Sequence, residues 1–94
     1  MQQEAFLDIL GKIKGIERKA ADYTVMGGWH LTLHLGKAGR ALAVRKIRLI
    51  RLHGSIVEMV SDEAGTAFCE CSDISVVIAQ GDKEQTHQPR PGFG

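Results

Sequence analysis

Residues 40–61 read RALAVRKIRLIRLH-GS-IVEMVS, and the way they fold decides the architecture. Ala, Leu, Arg and Lys are good helix formers, and Gly54 is suited to cap a helix ending at His53. The apolar spacing argues for a strand instead. Lys46, Ile47, Arg48 and Leu49 alternate polar with apolar, and Ile50, Arg51, Leu52 and His53 alternate in the opposite phase. Alternation with one phase switch predicts a strand carrying a bulge or sharp bend near residues 49 and 50. Gly54-Ser55 then predicts a two-residue turn with glycine first, and residues 56–61 the returning strand.

That turn sets a register. Leu52 faces Val57, Arg51 faces Glu58, Ile50 faces Met59 and Leu49 faces Val60. Ile50, Leu52, Val57 and Met59 become the core face. The opposite face carries Arg51 and Glu58 as a charge pair, together with Leu49, Ile56 and Val60, which a fully solvated face does not favour. A second hairpin follows at Asp62-Glu63-Ala64-Gly65. A three-residue loop with Gly65 left-handed places Glu70 opposite Glu58 and Phe68 opposite Val60. The outer face then shows a charged row, Arg51–Glu58–Glu70, beside an apolar row, Leu49–Val60–Phe68. A four-residue loop moves Phe68 into the core beside Met59. An apolar outer row needs a cover, either the N-terminal helix or a second subunit.

Outward from this hairpin, Trp29, Leu31, Leu33 and Leu35 alternate with His30, Thr32 and His34, a half-buried strand that begins after Gly27-Gly28. Gly36-Lys37-Ala38-Gly39 reads as the loop joining it to residue 40. Tyr23 and Val25 suggest a short strand within 20–26. Phe6, Ile9, Leu10 and Ile13 recur at helical spacing, so residues 2–14 read as an amphipathic helix that stops near Gly15. Residues 66–71 return as a strand, 72–75 as an irregular turn, and 76–79 as a last strand. The residues from Gly81 onward, with Pro89, Pro91, Gly92 and Gly94 among polar neighbours, read as a disordered tail. The expectation is one α+β domain over residues 1–80, with an N-terminal helix before a five-stranded, mostly antiparallel, strongly curled sheet or small barrel, and a tail over 81–94. This element order, over roughly residues 4–79, resembles that of Sm-like and SH3-like small barrels. The resemblance is one of order alone and carries no functional residue with it.

The chain has 94 residues, with 12 Lys and Arg against 11 Asp and Glu, a formal net charge of +1, and 44% hydrophobic residues. That balance argues against disorder throughout and against a polybasic nucleic-acid protein. No stretch approaches the roughly 20 apolar residues of a membrane helix, and no export signal is expected at the start. With two cysteines only, a cytoplasmic setting with reduced thiols is the expectation.

The charges are segregated. Lys37, Arg40, Arg45, Lys46, Arg48 and Arg51 lie within fifteen positions without one acid between them. Glu58, Asp62, Glu63, Glu70, Asp73 and Asp82 follow in a stretch with no Lys or Arg. Arg45, Lys46, Arg48 and Arg51 are the candidate nucleic-acid contacts, but the run has no aromatic residue of its own on which bases would stack. Pairing across the sheet, or between subunits, is the simpler use of such blocks. Cys69-x-Cys71 lacks the spacing and the second pair of a zinc site, and His30 and His34 on a strand are about 13 Å apart. Glu58 and Glu70, if opposed, are the one candidate acid–base pair; Arg51 beside them favours a charge ladder.

The expectation is therefore a non-enzymatic interaction or structural module, with no cofactor or metal, that self-associates through its sheet, a dimer being the default. Its expected interface is Leu49, Val60 and Phe68 with Arg51, Glu58 and Glu70. A nucleic-acid-binding small barrel is the alternative, and a small-molecule pocket beneath Trp29 and the helix a third reading.

Overall fold

A computed structural model describes residues 1–37 and 40–82, with the side chains of 37, 40 and 41 set aside. Of the tail expected over 81–94, Gly81 is instead a buried strand residue, and the residues from 83 onward lie outside the described residues, as does the tip of the 36–39 loop. Helix α1 spans Gln3–Lys12, followed by strands β1 (Ile16–Lys19), β2 (Asp22–Val25), β3 (Trp29–Lys37), β4 (Arg40–His53), β5 (Ile56–Ser61) and β6 (Gly65–Glu70). A 3-10 turn, Cys71–Asp73, leads to β7 (Ile74–Gly81). The fold is α+β: one N-terminal helix and a strongly curled antiparallel sheet that forms a half-barrel. Among the described residues seven strands stand where five were expected. One of the additions is β1, whose Ile16-Glu17-Arg18-Lys19 offers a single apolar residue to any periodicity.

The long strand β4 organises the sheet. Its first part pairs with β3, through contacts such as Leu33 with Val44, and its last part pairs with β2 and β5 on opposite edges. Changing neighbours along one edge requires a break in the ladder. Two register shifts supply it, one between Val44 and Ile47 against β3, the other between Ile47 and Leu49 against β5. The bend therefore falls at residues 45–48, ahead of the expected 49–50. Val44, Ile47 and Ile50 all reach the core at steps of three, each step containing one bulge. Lys46 takes the left-handed conformation there, with φ 54°.

The bulge is held from the β5–β6 turn. Ser61 is buried, and its hydroxyl donates to the Arg45 carbonyl while accepting from the amides of Glu63 and Ala64. The Asp62 amide donates to the Lys46 carbonyl at 3.0 Å. Gly54-Ser55 turns as expected, and the β4–β5 register agrees at Leu52–Val57, Arg51–Glu58, Ile50–Met59 and Leu49–Val60.

The second hairpin differs. Gly65 is left-handed, with φ 75°, but the loop is Asp62-Glu63-Ala64 and Gly65 pairs with Ser61. Phe68 consequently faces Glu58, Thr66 faces Val60 and Glu70 faces Ile56. The pairing is shifted by two residues from the one read in the sequence, so every side chain keeps its expected face. The apolar row Leu49–Val60–Phe68 and the charged row Arg51–Glu58–Glu70 do not form as straight rows. The four-residue loop that would bury Phe68 is not formed either.

The core lines the concave side: Leu31, Leu33, Val44, Ile47, Ile50, Val57, Met59 and Ile74, closed by Phe6 and Leu10 of α1. The helix fills the inner face and does not cover the outer one. At full burial each such side chain contributes about 1.5–3 kcal/mol, which is why a ten-residue helix without a side-chain cap is retained. Trp29 is cradled by two glycines. A Cβ on Gly15 would fall 2.0 Å from its ring, and one on Gly81 would fall 3.0 Å away.

Candidate functional site

The outer face of β2, β4, β5 and β6 gathers five of the six expected interface residues near a shared charge network. Arg51 is in register with Asp22 on one side and Glu58 on the other. Its guanidinium grips Asp22 with two bonds, Nε to Oδ1 at 2.7 Å and Nη2 to Oδ2 at 3.1 Å. Glu58 lies 3.8 Å from the same guanidinium, and its Oε1 is 2.7 Å from His53 Nε2. The hydrogen bonds from Arg51 hold the Asp22 carboxyl below its usual range, and Asp22 in turn raises Arg51. Asp22 was missed by the sequence reading because only pairing between β2 and β4 brings it to Arg51, residues 29 apart in the chain.

Leu49 and Val60 sit one step along the same face, half-buried and directly paired. Phe68 stands beyond Glu58 on β6 and is 62% exposed. Glu70, opposite Ile56, is separated from the network, and the Glu58–Glu70 carboxylate pair does not exist. With it goes the candidate acid–base pair.

Of the basic candidates, Arg51 is engaged with Asp22, and Arg48 pairs with Asp62 at 2.8 Å. Arg45 and Lys46 are exposed within the first register shift, between Val44 and Ile47. The segregated charges thus meet across the β4–β5 hairpin, at Arg51–Glu58 and Arg48–Asp62. No family model, curated protein or solved structure matches this chain.

Two edges of the sheet carry apolar side chains outward. Strand β6 pairs only with β5, and β7 pairs only with β3, among the described residues. On their outer faces Phe68, Val76 and Ile78 are 62%, 46% and 38% exposed. On their inner faces Ala67, Cys69, Val77 and Ala79 are half-buried against the core. Burial pushes the Cys69 thiol up to about 11, with the Asp73 carboxylate adding to the shift, and burial raises Cys71 as well. Both cysteines are free.

Two hollows open among the described residues. The larger, about 750 Å³, runs between α1 and the β1–β2 hairpin, and Glu4, Asp8, Arg18 and Tyr23 are among its walls. The smaller, about 380 Å³, lies between Trp29 and the β4 bulge. The pocket expected beneath Trp29 and the helix is therefore two separate places. Among the described residues no group of three or more His, Cys, Asp or Glu could hold a metal ion. No described helix is long and apolar enough to cross a membrane.

Proposed function

We propose that this domain is a non-enzymatic, cytoplasmic structural or interaction module that self-associates through its β-sheet, joining the β6 edge of one copy to the β7 edge of the next. The observation that carries this reading is the pair of edges themselves. Each has a row of backbone amides and carbonyls without a neighbouring strand among the described residues, and each displays large apolar side chains, Phe68 on β6 and Val76 and Ile78 on β7. Pairing the two edges continues the sheet. It sets Phe68 beside Val76 or Ile78 on the outside and seals Ala67, Cys69, Val77 and Ala79 within.

The edges differ in sequence, so the contact is head-to-tail, and where the rotation between copies closes it forms a ring, of which a dimer is the smallest member. Leu49, Val60, Arg51 and Glu58 flank this contact on the outer face, and Glu70 lies on the β6 edge itself. The Sm-like or SH3-like reading of the element order belongs to the same proposal, supported by a helix that precedes a curled antiparallel sheet. The nucleic-acid alternative on Arg45, Lys46, Arg48 and Arg51 has less support, because Arg48 and Arg51 already face carboxylates.

Light scattering at tens of micromolar tests the proposal. A multiple of the 10.3 kDa chain mass is expected, and the mass of one chain overturns it.

A further inference from the structure

The hollow beside Trp29 is lined by Val25, Met26, Trp29 and Ile47 with three nitrogen-bearing side chains, His30, Lys46 and Arg48, and one carboxylate, Asp62. At about 380 Å³ it lies near the small end of the range for ligand sites. We propose that it binds a small apolar monocarboxylate, with the hydrocarbon body against Trp29 and the carboxylate at Lys46.

The charges select a single anion. Arg48 is matched by Asp62 at 2.8 Å, and His30 lies 3.0 Å from Asp82. Lys46 has no ion pair among the described residues, which leaves one cation to be answered. Its position is also unusual. Lys46 adopts φ 54°, a conformation that glycine takes without steric cost and lysine does not. The bulge is over-determined from outside, through the buried Ser61 hydroxyl on the Arg45 carbonyl and the Asp62 amide on the Lys46 carbonyl. The bend alone would be met more cheaply by glycine. A long cation held there, lining a hollow floored by Trp29, has a use in recognition. Among the described residues the other non-glycine residue with positive φ, Ala20, lies in the turn between β1 and β2.

The floor is itself fixed in place. Gly15 and Gly81 admit the Trp29 ring so closely that side chains on them would displace it. An arylalkyl carboxylate matches this pairing of apolar floor and single cation, and a neutral or cationic analogue does not. This site is independent of the sheet edges and of whether the domain self-associates.

Trp29 is the only tryptophan, so its fluorescence reports the site directly. The probe is 4-phenylbutyrate, with 4-phenylbutyramide as its uncharged control. Saturable quenching by the acid is expected, with the amide at least about tenfold weaker, the weight of one charge-assisted contact. Lys46→Gly keeps the bulge, is expected to fold at least as stably, and loses about tenfold in affinity. Lys46→Met keeps the bulk without the charge and carries the test if the glycine variant does not fold. No saturation with the acid, equal binding of acid and amide, or unchanged affinity in the folded variant overturns the proposal.

Discussion

Phe68 of β6 stands directly across from Glu58 of β5, so its ring ends the row Asp22–Arg51–Glu58 with no described strand beyond it. A ring 62% exposed at the free edge of a sheet is poorly placed for a monomer and well placed for a contact. Phe68→Glu is expected to lower the mass in solution while leaving the thermal transition nearly in place, because little of that side chain is buried within one chain. Val60→Glu behaves differently. Val60 is half-buried between Leu49 and Thr66, so the charge destabilises the fold as well as the assembly. Circular dichroism melts run beside light scattering separate the two effects.

Ser61 links the two halves of the sheet. Its hydroxyl holds the Arg45 carbonyl at the bulge and receives the amides of Glu63 and Ala64 in the turn. Ser61→Ala leaves these groups without that partner and is expected to cost about 1–3 kcal/mol. The denaturant midpoint measures it, and an unchanged midpoint shows that the bulge is held by other means.

Two glycines make opposite predictions. Gly11 lies within α1 with open space where a Cβ would be, so Gly11→Ala is expected to stabilise the domain by about 0.5–1 kcal/mol. Gly15→Ala drives a methyl group to 2.0 Å from the Trp29 ring, which must move. Overpacking of that kind costs about 1–3 kcal/mol or more. Trp29 emission should shift in Gly15→Ala and stay constant in Gly11→Ala.

Cys69 is expected to be a slow thiol. With its thiol pushed from 9.0 to about 11, the folded protein holds about a hundredfold less thiolate near pH 8 than an unperturbed cysteine, and alkylation slows accordingly. The sign for stability follows from the raised value. The contribution of the protonated thiol is fully present below pH 9.0 and is lost as pH rises through about 11. Alkylation rates across that range, native against denatured, check it. Equal rates in the two states contradict it.

Much of the fold is legible in the chain, for reasons that particular residues show. Gly54 at the first position of a two-residue loop supplies the positive φ that such a tight turn needs, and the loop length fixes four cross-strand pairs of β4 and β5. The neighbouring hairpin has a left-handed glycine too, yet its register moves by two because the Ser61 hydroxyl captures the turn amides and starts the loop one residue sooner. That is a tertiary choice. Ser61 is placed by its bond to Arg45, sixteen residues earlier. Strand β1 is invisible because Ile16 is its one apolar residue, and the strand is held through pairing with β2 and through Arg18 lying 5.7 Å over the Tyr23 ring. The Arg51–Asp22 pair was unreadable for the same reason, since its partner arrives on β2. The free edges emerge only once the strand order is known.

The most direct test of self-association through unlike edges is a mixing experiment with two edge variants, Phe68→Glu on β6 and Ile78→Glu on β7. Each alone is expected to remain at the mass of one chain by light scattering. Mixed in equal amounts, they regain one intact contact, the β6 edge of the Ile78 variant with the β7 edge of the Phe68 variant. A species of twice the chain mass that grows no further is the predicted result. A mixture that stays at the mass of one chain, or an Ile78 variant that still assembles by itself, contradicts the account.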